Sequence, residues 1–295
     1  MRFMRNENKV KYAIVVPARN EEKFIGKTLE SIVNQTFLPQ KVIVVNDCST
    51  DHTDSEVHKF TEKFPFIKLI DSENKTNQHL PGSKIIEAFY KGFEQIKSDW
   101  DFICKLDADV VIPENYFEVL LSRMTENPKI GLAGGLVYVN QNGNWVFENY
   151  NNKKHVRGAI KTYSKICFKK IGGLKKSMGW DTVDELLAGF HGFEIEVYDD
   201  LIVKLLKPTG ADYKQIRYEQ FGKSYNLMDY GIPISVIAAA KASWKAKNVF
   251  SFFSIMNGYF KSILNGDSKI VTREEGKFIR RFRWNGILKR FLNHS

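Results

Sequence analysis

The chain has 295 residues, 43% hydrophobic and 26% charged, proportions ordinary for a soluble globular protein with room for one large domain or two smaller ones. Its formal net charge of +10 is concentrated: from Lys241 onward there are 12 basic and 3 acidic residues, so the first 240 are nearly neutral and the basic excess bears on partners, not on fold. Polar Met1 to Lys11 predicts no signal peptide, no apolar run reaches the roughly 20 residues that span a bilayer, and the scattered Cys48, Cys104 and Cys167 predict reduced, non-catalytic thiols in the cytosol.

In chain order, Tyr12 to Val16, Val42 to Val45, Phe66 to Ile70 and Phe102 to Leu106 are short apolar runs of the kind that form strands buried on both faces of a parallel sheet. Helical patterns separate them. Asn20 reads as the N-cap of a first helix, with Glu21 and Glu22 in its first turn and Phe24, Ile25, Leu29, Ile32 and Val33 along one face. Ser49, Thr50 and Asp51 offer caps for a second helix through Val57 and Phe60. Beyond Gly82, the residues Ile85, Ile86, Phe89, Phe93 and Ile96 mark a third. Pro113 suits the first position of a fourth, with Tyr116, Phe117, Leu120 and Leu121 inward. This alternation predicts a doubly wound α/β domain. A further strand runs from Ile130 to Val139 and contains Gly134 and Gly135. A polar, hairpin-like stretch to Asn152, an extended segment at Val156 to Lys161 and helices near Lys165 to Ile171 and Thr182 to Phe190 follow it. Past Gly231 the chain turns helical, aromatic and basic.

In doubly wound sheets, ligands bind beyond the carboxyl ends of the strands. Three polar clusters fall there: Pro17 to Glu22, Asn46 to Asp51, and Asp107 to Asp109. The last, Asp107-Ala108-Asp109, places two carboxylates one residue apart where a buried strand meets its loop. They repel unless a cation lies between them, and a hard divalent ion that also holds a diphosphate meets that need. The first strand is not followed by G-x-G-x-x-G, which argues against a dinucleotide cofactor.

The strings VVPARNEE at 15–22, NDCSTD at 46–51 and DADV at 107–110, in this order, resemble those of family 2 glycosyltransferases with a GT-A fold. RGA at 157–159, IGG at 171–173 and GWDTVDE at 179–185 extend the resemblance over about residues 11 to 210. It implies an α/β architecture: a Rossmann-like mixed sheet flanked by helices, with a C-terminal helical extension. The catalytic domain would occupy 1–230, with a nucleotide-sugar half near 11–110 and an acceptor half near 111–230, and the extension 231–295. Carried over residue by residue, the resemblance places Pro17, Ala18, Arg19 and Glu21 in the nucleotide pocket, Asp47 at the base and Lys84 near the nucleotide. Asp107 would face the ribose or the metal shell, with Ala108 beside it, and Asp109 would ligate Mg²⁺ or Mn²⁺ on the diphosphate.

The chemistry supports such roles independently. Sugar transfer must stabilise negative charge developing on the leaving diphosphate, which a divalent cation does as a Lewis acid. It must also take a proton from the attacking hydroxyl, which requires a positioned carboxylate or His. The resemblance puts that base in an acidic motif at a helix start, here among Asp181, Asp184 and Glu185. Asp184 is expected first, with Asp181 close behind, since residues three apart on a helix share a face. The competing reading is that Asp181 caps the helix and the other two decorate its first turn. Two departures from the family pattern stand out. Its Glu-Asp pair is reversed here as Asp184-Glu185, and the His that many relatives carry after the acidic helix is missing from Val203 to Pro208. Lys204 or Lys207 is the alternative means of neutralising the diphosphate. Trp180 and Trp145 are candidates for stacking on a sugar ring. Arg157 and Gly158 are candidate acceptor or donor contacts, the alternative for Arg157 being a salt bridge at a strand edge.

Ile232 to Trp244 and Val249 to Leu264 carry apolar faces, and Lys277 to Trp284 interleaves aromatics with cations. Such helices suit an anionic membrane surface, or else pack on the domain and leave a solvated basic face. The expectation is therefore an inverting glycosyltransferase, cytoplasmic and peripheral at the inner face of the cell membrane. It would use a nucleotide diphosphate sugar donor and a glycan or lipid-linked acceptor, with nucleic acid not a partner. The alternatives are transfer to a polyprenyl phosphate, which needs no strong base because phosphate is already anionic, and a non-catalytic nucleotide-sugar-binding homologue at the membrane.

Overall fold

The computed structural model describes residues 10–72, 82–97, 99–148, 154–207 and 218–292. The four expected strands form as β1 (Tyr12–Ala18), β2 (Lys41–Asn46), β3 (Ile67–Asp71) and β4 (Phe102–Leu106), paired in parallel in the order β3-β2-β1-β4. Between them run α1 (Ile25–Val33), α2 (Thr53–Thr61) and α3 (Ser83–Glu94). The short β5 (Val110–Val111), α4 (Tyr116–Glu126), β6 (Ile130–Gln141), β7 (Asn144–Phe147) and β8 (Ile160–Ser164) follow, then α5 (Lys165–Lys170), α6 (Trp180–Phe190) and β9 (Glu194–Leu205). The sheet order is β3-β2-β1-β4-β8-β6-β9-β5, with β7 on β6. It is mixed: β8 runs antiparallel to both β4 and β6, β9 is parallel to β6, and β5 is antiparallel to β9.

Side chains alternate along a strand, so a sheet covered on both faces divides each apolar run between two cores. Ile14, Val16, Val42 and Val44 pack with Ile25, Leu29, Val57, Phe117 and Leu120 of α1, α2 and α4. Ala13, Val15, Ile43 and Val45 pack with Ile86, Phe89, Phe168, Val183 and Leu187 of α3, α5 and α6. Each fully buried Val, Ile, Leu or Phe contributes about 1.5–3 kcal/mol, which is why these strands need no alternating polar residues.

Some local expectations are corrected. Asn20 does not cap α1, which starts behind Phe24. Instead Asn20 takes a left-handed φ of 55°, donates its N–H to Ser49 Oγ at 3.0 Å and accepts from the Thr50 N–H at 2.8 Å, so it laces two loops together. Pro113 stands ahead of α4, its carbonyl accepting the Tyr116 N–H at 3.0 Å. β9 was not expected as a strand. Its acidic residues Glu194, Asp199 and Asp200 are exposed, and a register shift opposite Gly135 and Leu136 breaks its alternation. The hairpin between β6 and β7 turns on Asn142 and Gly143, with φ 53° and 88°, the two positive values that a type I′ turn requires.

Four helices complete the chain: α7 (Tyr218–Leu227), α8 (Gly231–Ala246), α9 (Phe250–Leu264) and α10 (Arg273–Leu292). A small core of Ala239, Ile255, Met256 and Tyr259 joins α8 and α9 to Tyr218 and Phe221 of α7. The α7–α9 crossing is so close that a Cβ on Gly258 would lie 2.0 Å from the Glu219 carbonyl oxygen. Thus α7, which precedes the expected boundary at 231, packs with the extension. α10 returns to α6, with the rings of Phe278 and Phe190 5.6 Å apart and Ile279 buried in the core on that face. No helix among the described residues is long and apolar enough to cross a membrane.

Candidate active site at the carboxyl rim of the sheet

Because β1, β2 and β4 run parallel, their carboxyl ends carry the three polar clusters to one rim. The first two loops hold each other. Asp47 N–H donates to Ala18 O at 2.8 Å, Glu21 N–H to Thr53 Oγ1 at 2.8 Å, and His52 N–H to a Glu22 carboxylate oxygen at 3.0 Å. Arg19 and Asp47 meet, guanidinium to carboxylate, at 3.9 Å. Pro17 and Ala18 are buried strand residues. Lys84 lies in the first turn of α3.

The Asp-Ala-Asp loop is fixed from three sides. Thr28 Oγ1 of α1 donates to Ala108 O at 2.7 Å, Asp107 N–H donates to Ala159 O at 2.8 Å, and Leu206 N–H donates to Asp109 O at 2.8 Å. Asp109 is buried. Burial, and then the charges of Asp107 and Glu21, push its carboxyl up to about 8 against the opposing charge of Lys207. Lys207 itself donates to Glu21 Oε1 at 2.6 Å, so the cation named as a substitute for the missing His does reach this rim. Among the described residues, no three His, Cys, Asp or Glu side chains are already grouped to hold a metal. The crowding of Asp109 by Asp107 and Glu21 is nevertheless the electrostatic condition that a bound divalent ion relieves.

The acidic helix α6 starts behind Gly179, a left-handed residue with φ 76°. Asp184 is fully buried. Lys161 Nζ donates to both of its oxygens at 2.9 Å and the Tyr163 hydroxyl donates at 2.5 Å. Burial raises its pKa against the pull of Lys161, and Glu185 adds to the rise. A carboxylate enclosed in this way has no approach for an acceptor hydroxyl. Asp181, one turn earlier, keeps 33% of its side chain exposed. Burial works to raise its pKa, but contact with His155 and the charges of Lys161, His155 and Arg157 hold it at about 2. The expected order is thus reversed in accessibility: Asp181 keeps part of its side chain exposed, whereas none of Asp184 is exposed. Glu185 holds the neighbouring loop, accepting from Val156 N–H at 2.9 Å and meeting His155 Nδ1 at 2.9 Å. Burial lowers the His155 pKa, yet Asp181 and Glu185 more than compensate and lift it to about 9. An imidazolium therefore stands between the two carboxylates.

Trp180 is not available to stack on a sugar. It is buried, with the ammonium groups of Lys105 and Lys161 5.2 and 5.7 Å from its ring centre. Trp145 lies on β7 with Lys204 5.3 Å from its ring. Arg157 forms the salt bridge given as its alternative, 2.7 Å from Glu148. Gly158 abuts the acidic helix: a Cβ there would lie 3.2 Å from the Trp180 ring and 3.3 Å from Asp181 Cβ. The sequence reading missed His155, Lys105 and Lys161. Lys105 did leave a signal, a lone cation inside the apolar run of β4, where burial demands a paired carboxylate; Lys161, in the polar sequence of β8, left none.

A family model, Glycosyl transferase family 2, matches residues 13–178. The chain is 37% identical over 127 residues to "Probable glycosyltransferase YdaM" of Bacillus subtilis, covering 42% of this chain and 29% of that protein. It is 36% identical over 126 residues to "Poly(ribitol-phosphate) beta-N-acetylglucosaminyltransferase TarS" of Staphylococcus aureus, covering 39% of this chain and 21% of that one. The matches span less than a third of either relative's length. The crystal structure of TarS 1–349 in complex with UDP-GlcNAc superposes with a TM-score of 0.59 at 21% identity, over 74% of this chain and 65% of that one. The mannosyltransferase PcManGT from Pyrobaculum calidifontis, in complex with GDP-Man and Mn²⁺, superposes with a TM-score of 0.57 at 14% identity, over 94% of this chain and 80% of that one. At such identities the likeness speaks for the fold, which is the expected GT-A arrangement of a mixed sheet flanked by helices.

Proposed function

The chain belongs to glycosyl transferase family 2, and from that premise we propose that it transfers a sugar, with inversion, from a nucleotide diphosphate donor to a hydroxyl acceptor. The observation that supports this reading is the gathering of Asp107, Asp109, Arg19, Asp47 and Glu21 at the carboxyl rim of the sheet, with Asp107 joined through Lys105 and Gly158 to the start of α6, where Asp181 stands. Arg19, Glu21, Asp47 and Lys84 are assigned to the nucleotide side, with Pro17 and Ala18 shaping the floor as strand residues. UDP-GlcNAc, named in the TarS complex, is the first donor to test.

Asp181 takes the role of general base, in place of the Asp184 that the sequence put first. It is the most exposed member of the trio and ionised through the neutral range. His155 holds that carboxylate in place from one side, and Glu185 holds His155. Asp107 and Asp109 would hold Mg²⁺ or Mn²⁺, which when bound neutralises charge building on the leaving diphosphate. Lys207, fixed on Glu21, adds a second positive charge at the same rim.

The acceptor is assigned to the glycan or lipid-linked class, and the site of action to the anionic face of a membrane. Supporting this, Trp244 and Phe250 at the α8–α9 corner are 87% and 83% exposed in a segment that also contains Lys241, Lys245 and Lys247.

A thermal-shift panel of UDP, GDP, CDP and TDP, with and without Mn²⁺, tests the donor site, because a ligand that binds only the folded state raises the melting temperature. One diphosphate should shift the protein, more so with Mn²⁺, and Asp109→Ala should remove the metal-dependent part. No shift with any nucleotide would overturn the reading.

A further inference from the structure

Lys105 on β4 and Lys161 on β8 are direct partners in an antiparallel ladder, so their side chains leave the same face of the sheet. Both are fully buried. Like charges opposite one another destabilise a sheet, and desolvating two ammonium groups adds to that cost. Hydrophobic residues of similar volume would serve packing at least as well. What the two ammonium groups hold accounts for their presence. Lys105 Nζ donates to the Asp107 carboxylate and to Gly158 O, the latter at 2.7 Å. Lys161 Nζ donates to Asp181 O at 2.5 Å and to both Asp184 oxygens at 2.9 Å. The Trp180 ring lies against both ammonium groups, 5.2 and 5.7 Å away. Gly158, held by Lys105, packs so close to Asp181 that a Cβ there would lie 3.3 Å from the Asp181 Cβ. Two linked paths therefore join the donor side to the acceptor side: Asp107 to Lys105 to Gly158 to Asp181, and Lys105 through the Trp180 ring to Lys161 to Asp181.

We propose that Lys105 and Lys161, wedged under Trp180, are positioning residues that fix the separation between Asp107 at the donor and Asp181 at the acceptor hydroxyl. The kinetic consequence rests on the glycosyltransferase reading. The mechanical one does not. Transfer depends steeply on the alignment of the attacking oxygen with the bond that breaks, and misplacement by about 1 Å can lower a rate roughly 10²-fold.

The test uses the full chain and two readouts. The first is amide hydrogen exchange without ligand, comparing wild type with Lys105→Met, which alters no residue of α6 or β8. The first turn of α6 should exchange at least about tenfold faster while the β1–β2 amides stay at wild-type rates; wild-type exchange in α6 would overturn the proposal. The second is hydrolysis of UDP-GlcNAc with Mn²⁺ by Lys161→Met combined with Asp184→Asn, so that no carboxylate is left buried without its partner. The expected result is kcat lower by about 10²-fold with the donor KM within about twofold; retained kcat, or a loss confined to KM, would overturn it. Should that variant fail to unfold cooperatively, Lys161→Arg takes its place, since it keeps the charge but replaces the compact ammonium that reaches Asp181 O and both Asp184 oxygens by a bulkier planar group. The same kcat loss is expected, and wild-type kcat would again overturn the proposal. If the wild type turns over no nucleotide sugar, it is the proposed function that fails, and the exchange measurement alone decides on the wedge.

Discussion

Asp181 and Asp184 lie one helical turn apart, and burial alone divides what they can do. Asp181→Asn should leave the fold and diphosphate binding intact while lowering transfer by about 10²–10⁴-fold, the range for a lost general base; kinetics with unchanged kcat would remove Asp181 from that role. Asp184→Asn leaves Lys161 buried beside a neutral partner and should destabilise the protein by about 3 kcal/mol or more in denaturant unfolding. His155 gives a pH signature. Its pKa rises from 6.5 to about 9 on folding, so its stabilising effect is complete below pH 6.5 and disappears as pH rises through 9. Between pH 6 and 10 the wild type should lose about 3 kcal/mol more than His155→Gln, the difference isolating this residue from other titrating groups. Parallel pH profiles for the two proteins would show that the imidazolium contributes nothing. The acidic trio was legible in the chain as the source of a base, but the order within it was not, because spacing puts Asp181 and Asp184 on one helical face but says nothing of what covers that face.

Elements with one unambiguous environment were legible in the sequence. β1 and β2 are apolar throughout because helices cover both faces of the sheet, and α3 and α4 carry their apolar residues at helical spacing for the same reason. β9 escaped notice because its first half is only half-buried and carries the acidic Glu194, Glu196 and Asp199, and its pairing shifts register beside Gly135. The C-terminal helices were legible as helices, but their packing was not. Gly222 and Gly258 look like weak points in isolated helices, yet they are where α7 and α9 touch backbone to backbone. Gly258→Ala must push the Glu219 carbonyl away and should lower stability by about 1–3 kcal/mol in denaturant unfolding. Wild-type stability in that variant would mean the crossing is looser than described.

At the scale of the whole molecule, most of the net charge and several of the most exposed aromatics belong to the last three helices, while every residue proposed for the reaction site falls within the first 207. Membrane docking and chemistry should therefore separate. Trp244→Glu combined with Phe250→Glu should weaken sedimentation with phosphatidylglycerol vesicles by at least about tenfold, with nucleotide binding in solution unchanged. Equal sedimentation of variant and wild type would refute the assigned surface. The sequence alone determined the parallel strand–helix alternation, the three polar clusters at the strand ends and the family they belong to, because these depend on local periodicity and on residues close together in the chain. Only the tertiary structure decided that Asp181 keeps part of its carboxylate exposed while Asp184 keeps none, that Trp180 is buried against two lysines, and that His155 sits between two carboxylates. Each of those outcomes depends on which distant strand delivers a charge into a buried space, and burial, which sets both access and pKa, is a property of the assembled fold.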